Sequence, residues 1–312
     1  MLVPSTENKP GVRSFTWLAL LAVTAFCSGC SMSQKTAAKP AQTPVALKSA
    51  SKVELIQQYN QLANSIRSIN ASVTIQLTAG SVYSGVIEQY HEVNGFILAQ
   101  KPFDIRVIGQ LPVVGKNIFD MESDGKIFHI FIPSKNQFLV GPANLERPSS
   151  KAIENLRPQH LLDAIFWQPI SKEAPVLLEE EAVPPSSFYV LTVIRNERPN
   201  SAPLPGADAN EEWTIARKIW FDRADLNVSR IDTFDSGDKP TAIVRYSNSD
   251  MFGTVEYPRQ IFLDRPQNDY QLHLTITKLT VNEPIEPERF ALSQPEGSEL
   301  VRVGEASEEK NP

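Results

Sequence analysis

Cysteine is the residue type with the clearest chemistry in this chain, and both cysteines lie near its amino terminus. Cys27 and Cys30 follow one another at the end of an apolar run over residues 15–27, with Ser28 and Gly29 between them. The chemistry open to a cysteine in this position is attachment of a lipid to its sulfur. No cysteine follows Cys30, so the fold that comes after it depends on its apolar core and not on disulfides.

Residues 1–29 have the pattern of a secretory signal peptide. Lys9 and Arg13 precede the apolar run, which at 13 residues is too short to cross a hydrocarbon core of ~30 Å as a helix. Small residues followed by Cys30 resemble the lipobox of bacterial lipoproteins, in which the cysteine becomes the new amino terminus and carries a diacylglyceryl group. We therefore predict a lipoprotein signal peptide over 1–29 and lipidation of Cys30. The alternative is an ordinary signal peptide that leaves a free thiol at Cys30.

The other residue types do not form a catalytic or metal-binding motif. The sequence after Cys30 has no G-x-S-x-G elbow, no glycine-rich phosphate loop and no H-E-x-x-H pair, and its four histidines are dispersed. The net charge is −6 and no cluster of Lys and Arg occurs, which argues against a nucleic-acid partner. We predict that the protein is not an enzyme, with no catalytic residues, no metal and no cofactor.

A tether, a helix and a long series of strands follow Cys30. Residues 30–50, rich in Ala, Pro, Ser and Lys, predict the lipidated cysteine and a flexible tether. Ser51 and Glu54 have the spacing of a capping box, and apolar residues then recur at helical spacing. From residue 71 the apolar period changes to two, which is typical of strands with one buried face. Asn-Gly and Asp-Gly pairs between strands favour tight hairpins.

In chain order, the sequence predicts about six strands, then a helical insertion that includes residues 158–167, and then about five further strands. Hairpin connections indicate an antiparallel sheet, and the lack of βαβ alternation argues against a parallel one. A sheet of about eleven strands curls strongly. We predict a mainly antiparallel β fold with α, an incomplete (half) β-barrel of about 11 strands with helices plugging the concave face. It would span residues 51–303, and residues 304–312 would form a disordered tail.

Residues 110–116 form an apolar connection between two predicted strands. Leu111, Val113 and Val114 cannot all turn inward from so short a segment. Exposed apolar loops often mark contact with lipid, a membrane or a partner. The alternative is a loop that folds back and covers the edge of the barrel.

The helix predicted over residues 158–167 is rich in large apolar side chains. The candidates for lining a lipid cavity are Leu161, Leu162, Ile165 and Phe166. This helix would be either a permanent part of the core or a movable lid over such a cavity.

Several short strings, taken in order, resemble the bacterial lipoprotein-localisation proteins, the LolA/LolB-like family. They are KPFDIR at residues 101–106, the DGK hairpin at residues 124–126, and FALSQPEG at residues 290–297. The likeness spans residues 51–303. It implies an incomplete antiparallel barrel with helices that line a hydrophobic cavity for acyl chains.

In that family the soluble periplasmic carrier lacks an anchor, whereas the outer-membrane receptor is itself a lipoprotein. The anchor predicted at Cys30 makes this chain similar to the receptor, in which an apolar loop projects toward the membrane and assists transfer. Leu111, Val113 and Val114 occupy the similar place. The resemblance adds a periplasmic carrier protein to the expected partners.

The main hypothesis is therefore a lipid-anchored protein of the outer membrane that faces the periplasm. It would bind acyl chains of lipoproteins or other lipids in a hydrophobic cavity, in lipoprotein sorting or outer-membrane insertion. The second hypothesis is an envelope assembly or structural lipoprotein that uses the same sheet to bind a protein partner.

Overall fold

A computed structural model describes residues 46–81, 86–89, 91–144, 155–197 and 212–303. The predicted signal peptide, Cys30, most of the tether and the tail predicted at residues 304–312 lie outside these ranges. No helix within them is long and apolar enough to cross a membrane.

Helix α1 (Lys52–Ser65) begins at the capping box that the sequence predicts. The Ser51 hydroxyl accepts a hydrogen bond from the Glu54 backbone N–H at 3.3 Å, and the Ser51 N–H donates to the Glu54 carboxylate at 2.7 Å. These two bonds satisfy donors that the first helical turn would otherwise leave open. The apolar stripe of α1 places Leu55, Tyr59 and Ala63 in the core.

Fifteen strands form one sheet in the described part of the chain. The strands are β1 (Ser68–Ser81), β2 (Val86–Gln89), β3 (Val93–Gln100), β4 (Asp104–Gln110), β5 (Asn117–Ser123), β6 (Ile127–Ile132), β7 (Gln137–Pro142), β8 (Val176–Val183), β9 (Ser186–Glu197), β10 (Glu212–Asp222), β11 (Val228–Phe234), β12 (Pro240–Phe252), β13 (Val255–Arg265), β14 (Tyr270–Val281) and β15 (Glu299–Arg302). The pairs are antiparallel except for β7 with β15, which run parallel.

Strand β1 lies near the middle of the sheet, between β3 and β14. Strands β3 to β7 extend as a meander to one side, and β14 back to β8 extend to the other. Strand β15 pairs with β7 at one end of the order, β8 lies at the other end, and β2 pairs with the end of β1. The sheet is therefore open, which confirms the predicted incomplete antiparallel barrel.

The strand count is higher than the predicted eleven because the edges of the sheet carry weak sequence signals. Strand β8 contains three successive glutamates, and most of its residues are exposed, so it lacks an alternating apolar pattern. Strand β15 has only four residues. Such short or charged strands are common at edges, where they discourage pairing with other chains.

Helix α2 (Pro158–Ile165) lies in the connection from β7 to β8 and contacts β4, β5 and β13. Strands β4 and β13 are four positions apart in the sheet order, which corresponds to ~19 Å in a flat sheet. A helix only ~10 Å wide can contact both only if the sheet curls around it. Helix α2 thus plugs the concave face, and it shares one apolar core with α1 and the inward side chains of the strands.

Arg106, in the KPFDIR string, holds the carboxy-terminal segment against the outer face of the sheet. Its guanidinium forms a bidentate pair with Asp120 on β5, at 3.0 and 2.8 Å. The same guanidinium donates to the backbone carbonyls of Arg289 and Ala291 at 3.0 and 2.9 Å. This arginine therefore joins two strands to the closing segment.

Candidate functional site

A groove of about 350 Å³ opens between α1 and the hairpin formed by β12 and β13. One wall consists of the α1 side chains Gln58, Gln61, Leu62 and Ser65. The other wall consists of Ser249, Thr254, Val255, Glu256 and Pro258 from the hairpin. The volume lies in the range of small-molecule sites in proteins.

The floor of the groove is aromatic. Tyr59 and Trp167 are stacked, with ring centroids 5.6 Å apart and planes 4° apart. Phe221 of β10 meets the Tyr59 ring edge-on at 6.5 Å. All three side chains are buried, so the floor is an apolar surface at the base of a polar rim.

One floor residue carries a buried polar atom for which the described residues provide no hydrogen-bond partner, and that atom is the hydroxyl of Tyr59. Burial raises the pKa of Tyr59 to about 12, an effect that the nearby Arg217 opposes. The hydroxyl therefore keeps its proton at physiological pH.

Polar contacts fix α1 and the segment after α2 relative to one another beside the groove. The Asn60 amide donates to the Ile170 carbonyl at 2.9 Å and accepts from the Ile170 N–H at 2.7 Å. Gln58 donates to the Leu226 carbonyl at 3.0 Å. These side-chain bonds hold α1 against the segment after α2 and against the turn between β10 and β11.

The side chain of Lys101 contacts the carboxyl end of α1. Its ammonium donates to the Ala63 carbonyl and lies 5.2 Å from the centre of the Phe166 ring. A cation near the carboxyl end of a helix is favourable because the last carbonyls carry partial negative charge. Partial burial lowers the pKa of Lys101.

The four cavity candidates from the sequence all lie in the core beneath or on α2. Leu161, Leu162, Ile165 and Phe166 are buried, and none of them lines the groove. Ile165 borders two small voids of about 10 Å³ each, and Phe166 borders one of them. Each void holds about one water-sized probe, so the space under α2 is nearly filled.

Sequence reasoning missed the residues that form the floor of the groove. Trp167 belongs to the predicted helical insertion, but it was not singled out as a site residue. Tyr59 sits on the apolar stripe of α1, and Phe221 is an inward residue of β10. Nothing in their spacing distinguishes them from ordinary core positions, and only the fold brings them together.

His160, near the start of α2, belongs to a cluster of polar side chains with Tyr270 and Arg265. His160 Nδ1 lies 2.5 Å from the Tyr270 hydroxyl, and its Nε2 lies 3.2 Å from an Arg265 guanidinium nitrogen. Arginine can only donate, so Nε2 accepts and Nδ1 carries the proton that is donated to Tyr270. Burial, then the charges of Arg265 and Arg157, lower the pKa of His160 well below its usual value.

The loop between β4 and β5 exposes its apolar side chains to solvent. Val113 is 104% exposed, Val114 74% and Leu111 43%, and they do not cover the sheet edge. Backbone bonds between Leu111 and Lys116 and between Gly115 and Leu111 close the turn. Val113 has a φ of 71°, a left-handed conformation that is strained for a β-branched residue. Strain of this kind clusters at functional sites.

Within the described ranges, no group of three or more His, Cys, Asp or Glu side chains is placed to hold a metal ion.

No family model and no curated protein matches the chain. Solved structures similar to it include a DUF1329 family protein from Desulfovibrio piger, with 14% identity, a TM-score of 0.47, and coverage of 80% of this chain and 98% of that one. A LolA superfamily protein from Nitrosomonas europaea has 13% identity, a TM-score of 0.43, and coverage of 76% and 97%.

A third similar structure, from Vibrio parahaemolyticus, is described as an outer membrane lipoprotein-sorting protein domain. It has 9% identity, a TM-score of 0.46, and coverage of 76% of this chain and 95% of that one. The similar structures thus include the superfamily that the sequence strings resemble. Each TM-score lies below 0.5, so the function of this chain has to be argued from its own residues.

Proposed function

We propose that this chain is a lipid-anchored protein of the bacterial envelope that binds acyl chains of lipoproteins or other lipids. The observation that supports this most directly is the aromatic-floored groove of about 350 Å³ beside α1. An acyl chain of ~15 CH₂ groups is disfavoured in water by ~0.8 kcal/mol per group, so moving it between membranes requires a shielded apolar surface. The proposed activity is binding and transfer, with no covalent step.

The groove continues toward the core through shared lining residues. Leu62 and Trp167 line both the groove and the void beside Phe166. Ile165 and Tyr257 line that void and the next one, beneath α2. An acyl chain that enters the groove could therefore extend inward if Trp167 and Phe166 change rotamer. This path connects the groove with two of the cavity candidates, Ile165 and Phe166.

The anchor and the exposed loop supply the remaining parts of the proposal. Lipidation at Cys30 would keep the protein at the outer membrane, facing the periplasm, and the tether would let the body move near the surface. The tip formed by Leu111, Val113 and Val114 would then enter the lipid and help a bound chain to leave. A periplasmic carrier protein would supply the acylated ligand.

Mass spectrometry of co-purifying lipid tests the proposal. The full chain carrying Cys30→Ala is purified without detergent, and we expect stoichiometric lipid. Leu62→Arg places a charge where the groove meets the inner void and should remove the lipid. Gln57→Arg is the matched control, because Gln57 is an exposed α1 residue that does not line the groove. Lipid-free protein that carries only Cys30→Ala would contradict acyl binding.

A second candidate function is supported by the open edges of the sheet. Within the described residues, β8 and β15 each pair on one side only, and β8 exposes Leu177 and Val183. An unpaired edge can accept a strand from a partner protein. A lipid-free preparation that instead retains one protein partner at stoichiometry would favour this assembly role.

A further inference from the structure

The edge strand β8 carries a row of backbone groups that have no partner strand. Among the described residues, β8 pairs with β9 alone. The Pro175 carbonyl accepts from the Ile194 N–H of β9 at 2.9 Å. Because backbone groups of successive residues point to opposite sides of a strand, the odd-numbered residues of β8 also face β9. The N–H and C=O groups of Leu178, Glu180 and Ala182 therefore point away from the sheet.

Helix α1 covers only the first part of this edge. The Lys52 ammonium donates to the Val176 carbonyl at 3.2 Å, which agrees with an outward direction for the even-numbered residues. Beyond Val176, the outward backbone groups of β8 have no hydrogen-bond partner among the described residues. An edge with open donors and acceptors can take up one more strand.

The side chains on one face of β8 determine which strand would fit. In chain order that face is apolar, acidic, acidic and apolar, formed by Leu177, Glu179, Glu181 and Val183. Leu177 and Val183 are 53% and 52% exposed, and both glutamates are exposed as well. Glu179 accepts from the Thr192 hydroxyl at 3.3 Å and Glu181 from the Trp220 indole N–H at 2.8 Å. Each of these bonds uses Oε2, so Oε1 of each carboxylate is open to a partner.

A second copy of β8 does not suit this edge. An antiparallel pair of β8 strands that matched Leu177 with Val183 would set Glu179 directly opposite Glu181, and like charges in that position destabilise a sheet. We propose that β8 binds an extended segment of a partner protein whose alternate residues are apolar, basic, basic and apolar. This order reads the same in both directions, so it fits a parallel or an antiparallel strand. The inference specifies the partner of the second candidate function and does not depend on acyl binding.

Two synthetic peptides test the charge preference. The full chain carrying Cys30→Ala is titrated into fluorescein-labelled TVTKTKTVT or TVTETETVT at physiological salt, and fluorescence anisotropy reports binding. We expect the lysine peptide to bind about tenfold more tightly than the glutamate peptide, because two opposite-charge pairs replace two like-charge pairs. Glu179→Lys combined with Glu181→Lys should reverse this preference.

The matched control for charge is Glu286→Lys combined with Glu288→Lys. These two glutamates are exposed, have the same spacing and lie in the closing segment after β14. The control changes the net charge equally and should keep the preference for the lysine peptide. Glu179→Gln with Glu181→Gln retains the hydrogen-bond acceptors and should abolish the preference, so it decides the question if the lysine variant does not fold.

Ala182→Pro tests whether the peptide binds by adding a strand. It removes an outward N–H without removing a bond to β9, so we expect both peptides to bind about three- to tenfold more weakly. Ala182→Thr keeps the N–H and should bind as the parent protein does. Circular dichroism checks folding, and a fluorescent C12 acyl probe should bind all of these variants equally.

Three results would overturn the inference and leave acyl binding intact. They are failure of the parent protein to bind the lysine peptide, an unchanged preference in both folded variants at Glu179 and Glu181, and an unchanged affinity in folded Ala182→Pro. A parent protein that is dimeric by size-exclusion chromatography, and monomeric with Ala182→Pro, would show instead that a second copy covers this edge. Loss of acyl-probe binding by the parent protein would overturn the acyl proposal alone.

Discussion

The hydroxyl of Tyr257 on β13 donates a hydrogen bond of 2.7 Å to the carbonyl of Ile165, the last residue of α2. Tyr246 on β12 makes the same kind of bond, at 2.9 Å, to the carbonyl of Ala164. The last carbonyls of a helix have no partner within the helix. The sheet therefore caps α2.

We expect Tyr257→Phe to lower the free energy of unfolding by about 1–3 kcal/mol, because it leaves the buried Ile165 carbonyl without a donor. Urea denaturation of the lipid-free protein measures the change. Tyr59→Phe is the matched comparison, because the Tyr59 hydroxyl has no hydrogen-bond partner among the described residues. This variant should leave the free energy of unfolding unchanged or raise it by about 1 kcal/mol. Equal losses in the two variants would mean that the bond to α2 contributes nothing.

The neutral His160 at the start of α2 should make stability depend on pH. Its pKa is lowered in the folded state, so between that pKa and the usual value near 6.5 the unfolded chain binds more protons. The contribution of neutral His160 to the free energy of unfolding is fully present above pH 6.5 and is lost as the pH falls below that value. We expect a loss of up to about 2 kcal/mol between pH 7.5 and pH 5, at 1.36 kcal/mol per pH unit, measured by urea denaturation.

His160→Gln separates this effect from other titrations. Glutamine can still accept from Arg265 and donate to Tyr270, but it has no charge to gain. Asp163 lies on the same helix in both proteins, so its titration cancels when the two proteins are compared. Identical pH profiles for the wild type and His160→Gln would rule out His160 as the source.

Much of the fold follows from local sequence signals, and its exceptions have physical causes. The capping box at Ser51 and Glu54 predicts the start of α1, and period-two alternation predicts β1 and its neighbours. The apolar spacing continues through Ile66 and Ile69, yet α1 ends at Ser65 and β1 begins at Ser68. Both isoleucines are buried in the structure, and their β-branched side chains suit a strand.

The groove could not be predicted in the same way. Tyr59 and Phe221 are far apart in sequence and have the burial of ordinary core residues, so only the return of β10 beneath α1 places them together. Leu162 and Phe166 were identifiable as apolar residues of one helix. Whether that helix fills the concave face or leaves it open depends on how tightly the sheet curls, which local patterns do not specify.

Cys30→Ala should abolish labelling with radioactive palmitate and release the protein into the periplasm. The reason is that the predicted anchor is the acylated sulfur, and more than one acyl chain is what gives stable membrane attachment. Fractionation of cells, with immunodetection of the membrane and periplasmic fractions, measures the change. A Cys30→Ala protein that still labels and sediments with membranes would contradict the lipoprotein prediction.

The last prediction separates transfer from binding at the loop between β4 and β5. Val113 and Val114 are highly exposed, so changing both to Glu removes no core contact and should alter the free energy of unfolding by less than about 0.5 kcal/mol. Entry of the loop tip into a membrane would bury these side chains, each contributing about 2 kcal/mol, and charges there would oppose it. We therefore expect normal binding of a fluorescent C12 acyl probe but slower delivery to phosphatidylglycerol liposomes.

Val183→Glu provides the control for added charge, because Val183 is an exposed valine on the distant edge strand β8. It should deliver the probe at the wild-type rate. If the double variant at Val113 and Val114 unfolds, these side chains stabilise the fold and are not a membrane tip. If the double variant is folded and delivers the probe as fast as Val183→Glu does, the loop has no part in transfer. Delivery of a bound acyl chain would then have to involve another surface of this protein.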